Sequence, residues 1–289
     1  MTSADSTSAQ PAEPDAGSLE SNGAETAAAA TPAVALERVG HVALVELRRP
    51  PHNFLSIGLV AELARALEDL DADVDIRCVV LAAKGKSFCA GADFSTDSGT
   101  AEGLEGAGDS PVLALYDGAA RLFDIGLPVI AAVHGAAIGG GLGLALAANL
   151  RVTCPEARFS ANFARLGIHH GFGLSVTLPE LVGPARAARI LFTARRFNGE
   201  EAAELGLADL CVPRDQVRQT ALDLAREIAE GAPLALRAIN RTLRLGMADR
   251  VREATRREAA EQEKLLATAD ALEGIVAMSE RRPGNFTGR

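Results

Sequence analysis

Tryptophan is absent from this chain of 289 residues, and tyrosine occurs once, as Tyr116. Proteins that hold single-stranded nucleic acid stack its bases on aromatic side chains, and a net charge of −9 offers no basic field for its phosphates. Nucleic acid is therefore excluded as a ligand. Cysteine is also scarce: Cys78, Cys89, Cys154 and Cys211 stand far apart in mostly apolar contexts without C-x-x-C spacing. That argues against a zinc site and a disulfide framework, and it implies reduced thiols in a cytoplasmic protein. No apolar run is long enough to span a bilayer, so no membrane span is expected. No lysine or arginine precedes Arg38, and residues 1–36 contain no aromatic side chain. That stretch of small, polar and acidic residues buries too little apolar surface to offset its ordering entropy. It is expected to be a disordered acidic tail, and without a basic start or an apolar centre it is not a signal peptide.

With 48% hydrophobic residues, the chain after the tail can bury the core of one main domain. His41 to Arg48 alternates toward a strand and ends at the turn signal Arg49-Pro-Pro-His-Asn. Leu59, Leu63, Leu67 and Leu70 share one face of a helix expected over 57–70, and Cys78 to Ala83 is a continuous apolar strand, which completes a βαβ unit. The Gly-, Ser- and acid-rich stretch 95–110 reads as a mobile loop, and Pro111 to Phe123 as a second helix. Further on, Arg151-Val-Thr-Cys and Ala157-Arg-Phe-Ser are strand-like, and 162–174 is a glycine-punctuated loop holding His169 and His170. From Leu178 the pattern is mostly helical. Val217, Ala221, Leu224, Ala225 and Ile228 form one apolar stripe, and 252–268 is a charged amphipathic helix suited to an interface.

The stretch from Pro128 to Asn149 changes period halfway. An apolar strand runs to Val133, three glycines follow at 139–141, and Leu142 to Ala148 reads as a buried helix. A strand leading through glycines into a helix start presents unpaired backbone amides, reinforced by the helix dipole, and the missing Cβ atoms admit a ligand oxygen. The same pattern also serves a tight turn or close helix packing.

Four motifs decide the matter by their order. Arg49-Pro-Pro-His-Asn-Phe-Leu-Ser resembles the R-x-x-x-N-A-L-S turn of the crotonase superfamily, the enoyl-CoA hydratase/isomerase family, and Ser87-Phe-Cys-Ala-Gly-Ala-Asp-Phe resembles its A-G-A-D loop. Pro128 to Gly141 is similar to its glycine-triplet core, and Leu272 to Phe286 to its closing E-G segment. The resemblance runs from about Glu37 to the C-terminus. It implies an α/β fold, a crotonase-like spiral of repeated ββα turns over 37–205, with a C-terminal helical trimerisation region over 206–289. It also implies an acyl-CoA thioester as partner, coenzyme A being part of the substrate so that no separate cofactor is needed, and a homotrimer or hexamer. By position, the amides of Ala92 and Gly140 would form an oxyanion hole, the nucleotide would lie along Ala92, Asp93 and Phe94, and Arg48, Arg49, Arg281 and Arg282 are candidates for its phosphates.

The sequence departs from the family at two places. Where hydratases carry a glutamate two residues after the triplet stands Gly143, and the second glutamate position holds Phe163. Neither residue can move a proton, so classical hydration is not expected. His170 is the candidate acid/base, with His169 beside it, and Gly143 is expected to leave space that a substrate, a water or His170 occupies. Asp93 is expected to brace the oxyanion loop, Tyr116 to pack in the core with a satisfied hydroxyl, and Cys89 to pack without a nucleophile's partners.

Overall fold

The computed structural model describes residues 32–92 and 110–289; the bulk of the expected tail, residues 95–109 of the expected loop, Asp93 and Phe94 lie outside them. Val34–Val39 forms β1, antiparallel to β2, Val42–Leu47. The expected boundary after residue 36 therefore falls inside a strand. Val34 donates its amide to Glu62 and Ala33 accepts from the Arg48 amide, so the chain is tied down before its first basic residue.

Helix α1, Ile57–Ala72, starts where the Ser56 hydroxyl accepts from the Leu59 amide, and it buries Leu59, Leu63 and Leu67 as the spacing predicts. Strand β3, Cys78–Ala83, lies parallel to β2 and is buried at every residue. Then come α2, Pro111–Arg121, with Ser110 as its cap; β4, Val129–Val133; β5, Ala136–Ile138; and α3, Gly140–Ala147. β6, Leu150–Thr153, and β7, Arg158–Ser160, lead into a short 3₁₀ turn, Asn162–Leu166. Among the described residues, β1, β2, β3, β4, β6 and β8 (Leu210–Cys211) form one sheet in that order, parallel except for the first pair, while β5 and β7 pair in a second, small one. From β4 to β7 the chain alternates, laying β4 and β6 in the large sheet and β5 and β7 in the small layer. The three-residue strands β5 and β7 are too short for a period-2 pattern, and β5 was not expected.

Helices α4 (Leu174–Val182), α5 (Pro184–Thr193) and α6 (Gly199–Leu205, capped reciprocally by Asn198 and Glu201) precede β8. α7, Val217–Ala229, then packs across β2, β3, β4 and β6, and it buries Val217, Ala221 and Ala225 of the expected stripe. Because β8 and α7 complete the core, the expected division at residue 206 is not a break in packing; residues 32–289 form one compact unit. The last three helices are α8 (Pro233–Leu243), α9 (Met247–Leu266) and α10 (Ala269–Ser279).

Helix α8 is amphipathic in the opposite sense from an ordinary surface helix. Its inward side chains are polar: Arg237 pairs with Asp71, and Asn240 donates to the carbonyls of Ile125, Gly126 and Leu127. Its outward side chains include large apolar ones, Leu234 72%, Ile239 57% and Leu243 76% exposed, beside Arg241 and Thr242.

Candidate active site

The turn from β5 to α3 needs glycine for three separate reasons. Gly139 takes φ +57, ψ −118, which costs any other residue a steric clash. A Cβ on Gly141 would lie 2.0 Å from the Cys89 carbonyl oxygen, and one on Gly140 would lie 2.6 Å from Leu55 Cδ1. The close approach at Gly141 is to the loop after β3. There the Cys89 amide donates to Ala136, the Ile138 amide donates back to Cys89, and the Leu55 amide donates to Gly91. Gly91 has φ +85, and the position of its missing Cβ is 3.7 Å from the Gly140 nitrogen. The loop that passes the Gly140 nitrogen at Gly91 continues into Ala92. Neither amide has an acceptor among the described residues. A free amide at a helix start can stabilise negative charge that develops on a nearby oxygen.

The turn before α1 is held by Asn53, the last residue of the turn signal Arg49-Pro-Pro-His-Asn. Asn53 is fully buried at φ +51; its side chain accepts from the Arg49 amide and donates to the carbonyls of Lys84 and Ser87 at 2.8 and 2.9 Å. It anchors the loop that carries Ala92. The turn signal around it marked the position; its long-range partners were not legible. Of the four candidate arginines, Arg48 pairs with Glu46 at 2.7 Å, and Arg282 grips Glu273 through both terminal nitrogens while its Nε meets Glu280. Arg49 donates to the Ser56 hydroxyl at 2.9 Å. Arg281 is exposed and has no ion-pair partner among the described residues.

The space expected beside Gly143 is filled. A Cβ there would lie 2.7 Å from Phe172 Cβ and 2.8 Å from its Cδ1, and Phe172 is fully buried at φ +61. Neither a water nor His170 occupies that slot, because the loop bends a phenyl ring into it. Phe163 is also buried, its ring beside Gly139.

His170 lies two residues before Phe172, its ring stacked on His169 at 4.1 Å and its Nε2 2.8 Å from the Ser175 hydroxyl. His169 Nδ1 is 2.6 Å from the His170 carbonyl oxygen, and Gln262 donates to the His169 carbonyl. Gln262 also accepts from the Tyr116 hydroxyl at 2.9 Å, so the tyrosine is the satisfied core residue it was read as. Beneath this loop Glu258 is fully buried on α9 and accepts from the amides of Gly173 and Ser175 at 2.8 and 3.0 Å, at the start of α4. Burial raises its pKa, an effect those two bonds oppose. The charged pattern over 252–268 concealed Glu258; the clue was that it shares a helix face with the apolar or small Val251, Thr255 and Ala259. Cys89 is fully buried and its thiol is pushed up to about 12, consistent with packing.

Burial, and secondarily the neighbouring His169, pushes the His170 pKa down to about 4. Because the unfolded imidazole takes up its proton near about pH 6.5, the unfolded chain binds more protons between those values, and stability should fall as pH drops through that window. The full shift corresponds to roughly 3 kcal/mol, and partial solvent access reduces this to about 2. Glu258, with its raised pKa, works in the opposite sense, so the readout is a difference: the acid loss of melting temperature between pH 7 and 4.5 should shrink in His170→Asn. An unchanged loss would refute the assignment.

One open cavity, of about 920 Å³, lies away from the glycine turn, at the carboxyl ends of β3, β4 and β8, between Ala83, His134, Cys211, Arg214 and Arg218. Among the described residues no group of three or more His, Cys, Asp or Glu is placed to hold a metal ion, and no helix is long and apolar enough to cross a membrane.

A family model described as enoyl-CoA hydratase/isomerase matches residues 37–289. The chain is 39% identical over 206 residues to a probable enoyl-CoA hydratase of Mycobacterium tuberculosis, covering 68% of this chain and 78% of that one. It is 37% identical over 257 residues to a putative enoyl-CoA hydratase of Thermus thermophilus, covering 86% and 98%. Among solved structures, an enoyl-CoA hydratase/isomerase from Pseudoalteromonas atlantica superposes with a TM-score of 0.78 at 28% identity, over 89% of this chain and all of that one.

Proposed function

The chain belongs to the enoyl-CoA hydratase/isomerase family, and from that premise we propose that it binds an acyl-CoA thioester and polarises the thioester carbonyl between the backbone amides of Ala92 and Gly140. The observation that supports this reading is the close approach of the loop before Ala92 to the glycine-lined start of α3, with no backbone acceptor for the amide of Ala92 or Gly140 among the described residues. Each donor prepositioned toward an enolate or tetrahedral oxyanion is worth about 3 kcal/mol in the transition state. Coenzyme A enters as part of the substrate, its nucleotide along Ala92, Asp93 and Phe94. Arg281 and Arg49 are the phosphate ligands, since Arg48 and Arg282 already hold carboxylates.

Proton transfer falls to His170. It is neutral at pH 7, so it serves as a base, and the Ser175 hydroxyl orients its Nε2. A second reading, a protein that binds acyl-CoA without turning it over, is favoured by the phenyl rings of Phe172 and Phe163 at the two proton-transfer positions. Calorimetric titration with acyl-CoAs, beside hydratase and isomerase assays on wild type and His170→Ala, separates the two. The enzyme reading expects a loss of turnover of about 10²-fold or more with little change in affinity. Absence of any turnover in the wild type would leave the binding protein, and absence of binding would sink both.

The apolar outer face of α8 is assigned to contacts between copies in a homotrimer or a pair of trimers, because water is a poor neighbour for Leu234, Ile239 and Leu243 while the polar inner face is fully used. Sedimentation should give a multiple of three, and Leu234→Glu with Leu243→Glu should shift it toward monomer. A wild type that stays monomeric at micromolar concentration would contradict this.

A further inference from the structure

Phe172 reaches across from the loop before α4 and covers one turn of α3. Its Cδ2 lies 3.5 Å from the Cβ position of Gly140, and its Cδ1 lies 2.8 Å from that of Gly143. Positions three apart lie on the same helix face, so a single ring roofs both. On the other flank, Leu55 Cδ1 stands 2.6 Å from the Gly140 Cβ position. The Cβ side of Gly140 is therefore flanked by an aliphatic and an aromatic wall, and the same ring fills the volume beside Gly143 farther along α3.

The ring is seated on both sides in sequence. Gly171 carries no side chain because the Tyr116 hydroxyl stands 1.7 Å from where its Cβ would be. Gly173, at φ +75, donates its amide to the buried Glu258. Between them Phe172 holds a left-handed backbone, φ +61, which a bulky residue adopts only where its surroundings over-determine it. Tyr116 meets the ring edge-on, the two centroids 6.4 Å apart. A side chain fixed this firmly is a stop.

We propose that Phe172 is the residue that sets acyl size in this site: it admits short acyl groups and turns away long straight chains that would have to run along α3. The inference rests on the thioester reading given above. It also gives the glycine at 143 a reason, since the volume that a side chain there would fill is already taken by the ring from 172.

The experiment is calorimetric titration of the full chain with acetyl-, butyryl- and octanoyl-CoA, in wild type and in Phe172→Gly. Glycine keeps the left-handed backbone free of strain while removing the ring. Wild type should bind octanoyl-CoA at least about tenfold more weakly than butyryl-CoA. The variant should gain at least about tenfold for octanoyl-CoA, with acetyl-CoA affinity nearly unchanged, the scale that a few methylenes command in an apolar pocket. A folded variant with the wild-type order of affinities would overturn the role of Phe172 and leave the thioester reading standing. If no thioester binds to either protein, the thioester reading fails and this inference with it. Should Phe172→Gly not fold, Phe172→Leu retains most of the packing and is expected to shift the order in the same direction; an unshifted order there overturns the proposal equally.

Discussion

A short 2-enoyl-CoA is expected to be hydrated by this chain at least about 10⁴-fold more slowly than by a family member with both carboxylates, and Gly143→Glu alone is not expected to recover the rate. Water addition needs one group to activate the water and another to protonate the α-carbon, and each typically contributes about 10²- to 10⁴-fold. Position 143 offers hydrogen only, and position 163 a phenyl ring. Restoring a carboxylate at 143 meets a steric obstacle that the sequence does not reveal. The new Cβ would lie 2.7 to 2.9 Å from three atoms of Phe172, whose backbone is held by the Glu258 and Tyr116 contacts on either side. Gly143→Glu should therefore lower the melting temperature and stay inactive. The combination Gly143→Glu, Phe163→Glu and Phe172→Gly, which supplies both groups and clears the volume, should gain hydration over wild type by about 10²-fold or more. Steady-state hydration assays with all three proteins check this. A wild type that already hydrates at classical rates would show that the acid and base stand elsewhere.

Gly141→Ala is expected to be the most damaging single methyl group at the site. Its Cβ would lie 2.0 Å from the Cys89 carbonyl oxygen and 2.7 Å from the carbonyl carbon, and both are backbone atoms. That carbonyl cannot swing away, because it accepts from the Ile138 amide while the Cys89 amide donates to Ala136. Relief requires α3 to move off the loop bearing Ala92, and that contact keeps the two candidate donors at their spacing. We expect a loss of about 4 kcal/mol or more of stability, beyond the usual range for overpacking because no side chain can yield. Any protein that does fold should show a large drop in acyl-CoA affinity. Chemical denaturation together with titration measures both, and near wild-type stability would mean that the glycine is dispensable there. Gly183→Ala is the contrast, since nothing lies within 4 Å of its Cβ position and only the φ of +80 opposes it.

Helix α1, strands β3 and β4, and the glycine start of α3 were legible along the chain because each rests on a local rule. A leucine every three or four residues makes a stripe, a continuous β-branched run makes a buried strand, and consecutive glycines make an approach that side chains would block. The order of the four motifs likewise pointed to the family, and the resemblance implied Ala92 and Gly140 as partners although 48 positions separate them. What the sequence determined alone was therefore these elements, the lineage, and the absence of carboxylates at 143 and 163.

Tertiary structure decided the rest, because the outcome depended on which surfaces meet. His170 meets the hydroxyl of Ser175, whose amide is held by a glutamate on α9, 83 positions away. The polar face of α8 is turned inward by carbonyls around residues 125–127 that no spacing within α8 encodes. The gap at Gly143 is closed by a ring from residue 172, since a glycine in sequence states only that its own side chain is missing. Whether the volume stays empty is settled by the neighbour that packing brings against it, and close-packed interiors leave few such volumes unfilled.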